Sequence, residues 1–192
     1  MRKGHLPTPM QVIITQIPGV LIIEPKRFGD PRGFFSETFR ADRYAEAGLI
    51  HSFVQDNWSR SQRGVLRGLH LQNPNAQGKL VTVMRGAVLD VAVDVRVGSP
   101  SFGRHVAVEL SEDNGRQFFV PRGFAHGFVV LSDAADFVYK CDDYYSPVDE
   151  ITIRWNDPQI GIDWRTTSPI VSERDAAAPL LVDAPHLPKF EG

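Results

Sequence analysis

From Ala87 to Val95, apolar Ala87, Leu89, Val91, Val93 and Val95 alternate with Val88, Asp90, Ala92 and Asp94. A period of two predicts a β-strand with one buried face. Just before it, 79–84 is a second run rich in β-branched residues, and Arg85-Gly86 reads as a tight connection between the two. Val106, Val108 and Leu110 alternate again within 104–110, between the turn clusters Gly98-Ser99-Pro100 and Glu112-Asp113-Asn114-Gly115. Residues 117–120, 127–131 and 136–141 are further short strand candidates, spaced as in a sandwich or barrel. Only one helix is predicted, over 42–47 and ended by Gly48. The pattern is all-β, a closed barrel or jelly roll.

No internal repeat, linker or low-complexity tract divides the chain, and 192 residues with 42% hydrophobic content suffice for one core. Residues 1–10, broken by Pro7 and Pro9, read as a flexible extension to a single domain over 11–192. The Pro-rich tail after Trp164 is expected to wrap its outside. Lys plus Arg number 21 and Asp plus Glu 23, a net charge of −2, which gives no support for a nucleic-acid surface. An anionic ligand therefore needs a local cluster of cations. The single cysteine, Cys141, excludes an internal disulfide framework and a Cys-rich zinc site, and fits a cytoplasmic protein. The N-terminal apolar stretch is too short for a signal peptide or a membrane span.

Six histidines occur, at 5, 51, 70, 105, 126 and 186. His70 lies in Gly64-Val65-Leu66-Arg67-Gly68-Leu69-His70-Leu71-Gln72, and His126 in Pro121-Arg122-Gly123-Phe124-Ala125-His126-Gly127-Phe128. On an apolar strand, each is either a general base or a satisfied core histidine. Pro121-x-Gly123-x-x-His126 resembles the second motif of the cupin superfamily. Where metal-binding cupins carry His-x-His in the first motif, this chain has His70-Leu71-Gln72. Two histidines without a third ligand fall short of a metal site, so no metal is expected. Arg32, Arg67 and Lys79 sit among glycines and aromatics, and no phosphate-cradling Gly-rich loop is present, so a diphosphate would need such side chains. Nothing local marks Tyr139, in Phe137-Val138-Tyr139-Lys140, as an acid.

Together these segments resemble the dTDP-4-dehydrorhamnose 3,5-epimerases. The resemblance is carried by FGDPRGFFSETF (28–39), FVQDNWSRSQRGVLRGLHLQ (53–72), AQGKLVTVMRGAVLDVAVDVR (76–96), SPSFG (99–103), VPRGFAHGFVVLS (120–132), FVYKCDDYYSP (137–147), WNDPQIGIDW (155–164) and VSERDAAAPLL (171–181). They run in family order over roughly 11–182. The resemblance implies a cupin-type jelly roll with short peripheral helices, working without metal or organic cofactor on dTDP-4-dehydro-6-deoxy-D-glucose. His70 then looks like the base, Asp175 its orienting partner, Lys79 the cation at the C4 oxygen and Tyr139 the acid on the opposite face of the sugar. Arg32, Phe35, Glu37, Gln55, Asn57, Arg67, His126, Tyr145, Glu150 and Arg174 match substrate-binding positions. Phe35 and Tyr145 are the aromatic contacts for thymine. Arg32 and Glu37 are expected from a partner subunit, in a homodimer that exchanges N-terminal strands.

Two positions depart from the family pattern. Trp58 stands where histidine is common, a change expected in the pocket wall, and Arg174 replaces a common lysine, keeping charge but changing geometry. These departures leave a second enzyme class open: a C3 or C5 mono-epimerase, or a ketoisomerase, of a related dTDP-4-keto sugar. A third class, a non-catalytic sugar-binding barrel, has no use for a base and an acid together.

Overall fold

The computed structural model describes residues 10–50 and 52–191. The extension expected over residues 1–10 therefore lies outside the described residues except for Met10, which opens the first strand. In chain order the elements are β1 (Met10–Ile14), β2 (Leu21–Pro25), β3 (Arg27–Asp30), β4 (Gly33–Ser36), α1 (Ala41–Glu46), β5 (Gln55–Gln62), β6 (Leu66–Gln72), β7 (Lys79–Arg85) and β8 (Ala87–Asp94). They continue with β9 (His105–Ser111), β10 (Gln117–Val120), β11 (Phe124–Val130), β12 (Ala134–Cys141), β13 (Glu150–Thr152), α2 (Glu173–Ala177) and a 3-10 turn at Leu181–Asp183. A six-stranded sheet, β1-β2-β10-β7-β12-β5, faces a five-stranded sheet, β13-β6-β11-β8-β9, and β3 and β4 form a separate hairpin. This is the jelly roll of the cupins. No helix among the described residues is long and apolar enough to cross a membrane.

The two sheets close on one apolar interior. Val81 and Val83 of β7, Phe118 and Val120 of β10 and Phe137 of β12 meet Val88 and Ala92 of β8, Val106, Val108 and Leu110 of β9, and Phe128 of β11. Phe128 and Phe137 stack across the sheets at 3.9 Å between ring centres. These side chains fill the interior where the two sheets meet.

The strand expected to bury one face buries both. Leu89, Val91 and Val93 lie under a second apolar layer built from Ile151, Ile153, Ile160, Trp164 and Leu181 of the later chain. The opposite face of β8, with Val88, Asp90 and Ala92, looks into the interior. Aspartates at alternate positions would ordinarily mark a solvated face, and the alternation could not show that a C-terminal cover existed. The expected helix over 42–47 is α1, and Gly48, at φ +92°, ends it in the left-handed region. On the other sheet's outer face, Tyr44 and Leu49 pack on Ile23, Leu80 and Phe119.

Beyond Trp164 the chain lies along the five-stranded sheet and is fixed at its end. Val97 and Lys189 form a bridge, the Phe190 N–H donates to the Val97 carbonyl at 3.0 Å, and the Arg96 guanidinium lies 4.6 Å from the centre of the Phe124 ring and 4.9 Å from that of Phe190. Leu89 is 2% exposed, so Leu89→Ala is expected to cost about 2–5 kcal/mol in urea denaturation, where a solvated face would lose about 0.5 kcal/mol or less.

Candidate active site

The open part of the interior is a cavity of about 580 Å³, lined among others by Arg67, His70, Lys79, His126, Tyr139, Arg174 and Asp175. A second cavity of about 300 Å³ shares His70, Lys79 and Tyr139 and adds Gln55, Asn57, Tyr145 and Glu150. His70 comes from the five-stranded sheet, and Lys79 and Tyr139 from the six-stranded one. His70 and Tyr139 thus enter a common space from opposite walls.

Local backbone form decides which side chains reach that space. Gly68 and Gly127 let β6 and β11 approach so closely that a Cβ built on Gly68, which has φ +135°, would stand 2.6 Å from the Gly127 Cα. The pairing slips between His126 and Phe128 at this point. In a regular strand, residues three apart point to opposite faces, yet here Arg67 and His70 line one cavity. Past the slip, His70 and His126 are direct cross-strand partners.

His70 Nε2 lies 2.7 Å from Asp175 Oδ1, and the Gly68 N–H donates to Asp175 Oδ2 at 3.4 Å. Asp175 is presented by α2, whose start is capped by the Ser172 hydroxyl accepting from the Asp175 N–H at 3.1 Å. α2 is not among the helices predicted from the sequence, although Ser172-x-x-Asp175 has the spacing of an N-cap pattern. With Nε2 engaged, Nδ1 is the His70 nitrogen left to take a proton.

The Lys79 ammonium forms no hydrogen bond or ion pair among the described residues. Burial lowers its ammonium from the usual lysine range, opposed by Cys141, Glu150 and Asp90 nearby. Burial also raises the Tyr139 phenol above its ordinary range, so it holds its proton at neutral pH. Arg67 has only the Ser61 hydroxyl, at 3.2 and 3.1 Å, and no carboxylate partner among the described residues. The pocket therefore presents cationic groups that an anion can satisfy. No group of three or more His, Cys, Asp or Glu placed to hold a metal ion occurs among the described residues.

At the second cavity, Glu150 accepts from the Tyr145 hydroxyl and from Arg174, both at 2.7 Å. Burial alone would raise the Glu150 carboxyl, but these two donors outweigh it and hold it below the ordinary range. Gln55 accepts from the Tyr145 N–H at 2.9 Å and donates to Asn57 at 3.1 Å, while Asn57 lies 3.6 Å from the Cys141 sulfur.

Three expected positions are not brought together with the rest. Arg32 sits at the tip of the β3–β4 hairpin, bonded to Asp30, Phe35 is 69% exposed on that hairpin, and Glu37 is paired with Arg43 at 2.7 Å. None of them lines either cavity. Trp58 is a correction: it points to the outer face of the six-stranded sheet, where its indole N–H donates to Asp136 at 3.2 Å, so it leaves the pocket wall unchanged. Strand parity explains this, since Asn57 faces inward and its neighbour must face out. Conversely, Asp90, whose Oδ1 lies 2.7 Å from His126 Nε2, went unnoticed in the sequence.

Burial would raise the Asp175 carboxyl, but hydrogen bonds from His70 and the Gly68 N–H outweigh it and leave it below the usual carboxylate range. A depressed folded value stabilises the protein above the unfolded pKa of about 3.9, and that contribution is lost as pH falls through the folded value. Asp175→Asn is thus expected to lower Tm at pH 7, with the gap from wild type closing on acidification. A gap that stays constant to pH 3 would contradict this.

Comparison with known proteins completes the picture. The family model described as dTDP-4-dehydrorhamnose 3,5-epimerase matches residues 14–183. The Salmonella typhimurium enzyme of that name is 56% identical over 178 residues, covering 91% of this chain and 97% of its own, and that of Shigella flexneri is 54% identical over 179, covering 92% and 99%. A Legionella pneumophila dTDP-6-deoxy-D-glucose-3,5-epimerase, solved with dTDP-4-keto-L-rhamnose, superposes with a TM-score of 0.92 at 57% identity, covering 95% of this chain and all of that one. With a matching jelly roll and a match over most of its length, the chain belongs to the dTDP-4-dehydrorhamnose 3,5-epimerase family.

Proposed function

We propose that the protein converts dTDP-4-dehydro-6-deoxy-D-glucose to dTDP-4-dehydro-L-rhamnose by inverting C3 and C5 through an enolate, using its own side chains. The observation that carries this is the entry of His70 and Tyr139 into one cavity from opposite sheets, with Lys79 on its wall. Inversion beside a ketone requires that a proton leave from one face and another arrive at the other. His70 Nδ1 takes the first, while Asp175 fixes the ring and stabilises its charged form. Tyr139 delivers the second, and exchange with solvent restores both groups. Between these steps the C4 oxygen carries the enolate charge, and the Lys79 ammonium, kept from water, stabilises it there. C5 follows by the same route once the ring has shifted.

Arg67, His126 and Arg174 would hold the diphosphate and sugar, Gln55, Asn57 and Glu150 the smaller cavity, and Tyr145 the thymine ring. The proposal includes a homodimer with exchanged N-terminal strands, in which Arg32, Phe35 and Glu37 complete the partner's site. Its support is that these three lie off their own cavity, on or beside a hairpin that exposes the Phe28, Phe34 and Phe35 rings. A cytoplasmic setting belongs to it too, consistent with Cys141 as a free buried thiol.

Turnover in deuterated water, read by NMR, should label both C3 and C5. Label at one carbon alone would make the protein a mono-epimerase, and binding without exchange would make it a sugar-nucleotide receptor. His70→Ala should slow exchange at both carbons by about 10²-fold or more, and wild-type exchange in that variant would remove His70 from its role. Tyr139→Phe should let proton loss continue while inverted product fails to form. In light scattering the mass should be twice the 21.4 kDa of one chain. A fully active monomer would overturn strand exchange.

A further inference from the structure

The Asp90 carboxylate is fully buried, and its Oδ2 has no hydrogen-bond partner among the described residues. It stands on the interior face of β8 with Val88 and Ala92, where packing alone gives no reason for a charge. A carboxylate taken out of water with one donor works against folding, so its presence points to a task. Its bond runs to His126 Nε2 at 2.7 Å, and His126 lines the main cavity with its ring stacked on Phe137, 6.1 Å between centres. The His70–Asp175 pair differs, because both Asp175 oxygens are bonded. Two imidazoles thus lie side by side across β6 and β11, each with a carboxylate behind Nε2, and the proton abstraction needs only one.

We propose that Asp90 is a positioning residue for a diphosphate-bearing ligand: it grips His126 through Nε2, turns Nδ1 to the cavity, and lets the ring meet the anion as a cation. This rests on the proposed reaction, whose substrate carries a diphosphate. A neutral imidazole donating Nε2–H to Asp90 would offer the ligand only the Nδ1 lone pair, which repels a phosphate oxygen. With the buried negative charge behind it, the ring can carry both protons and donate from Nδ1. Arg67 lines the same cavity with only the Ser61 hydroxyl bonded to it, so one anion satisfies both groups.

The test begins on the unsubstituted protein, with ¹⁵N-labelled histidine and dTDP as the probe. His126 should carry a proton on Nε2 in the free protein and on both nitrogens in the dTDP complex, and an unprotonated Nδ1 in that complex would overturn the proposal. Asp90→Asn keeps size and an acceptor but removes the charge. It should weaken dTDP binding at least tenfold and leave thymidine binding unchanged, with KM rising by more than kcat falls. Equal losses for dTDP and thymidine would reduce Asp90 to a structural role, and unchanged dTDP binding would overturn the idea outright. The Asp90→Asn/His126→Gln double variant should bind dTDP no more weakly than His126→Gln alone, and additive losses would show that Asp90 does not act through His126. Should the wild-type protein bind dTDP yet exchange no hydrogen, the reaction falls while the dTDP and NMR readings still judge Asp90.

Discussion

The site depends on how closely β6 and β11 can run together. Side chains at Gly68 and Gly127 would hold the strands apart, and the slip beside His126 would have no room to form. Because they meet, Arg67, His70 and His126 all enter one cavity, and the Gly68 N–H lies near enough to bond Asp175. A short stretch of backbone therefore sets the direction of His70, its carboxylate partner and one cation together. The rest of the sandwich, with Phe118, Phe128 and Phe137 at its centre, keeps that stretch rigid.

Charge is distributed unevenly around this cavity. Lys79 and Arg67 lack carboxylate partners among the described residues, whereas Arg174 is already neutralised by Glu150 at the second cavity. Both unneutralised cations line the main cavity, and the burial of Lys79 there strengthens the pull its charge exerts on a ligand. A pocket with that asymmetry favours a ligand that brings its own negative charge, such as a nucleoside diphosphate.

Much of this was legible in the chain, for identifiable reasons. The alternation in β8 and β9, the turn at 112–115 and the Gly48 stop are local signals, and the structure follows them. His70 and Lys79 stood out by their surroundings as candidates, whereas Tyr139 and Asp175 were reached by family resemblance alone, since nothing around them identifies them locally. The burial of both β8 faces was hidden because the covering residues, Ile151 to Leu181, come some sixty or more positions later. Asp90 was hidden for the related reason that an aspartate on an alternating strand looks solvated until its opposite sheet is known. Trp58 was placed on the wrong side because a substitution next to Asn57 shares its neighbourhood in sequence but not its face.

The anchoring of Phe190 against Arg96 has a practical side. The terminal segment carries Leu181, Ala184 and Leu187 onto the layer over Leu89 and Val91. Nicking by a protease or shortening by cloning ahead of residue 181 would strip that cover and leave a broad greasy sheet surface in water. Such a fragment would clump before its chemistry could be assayed.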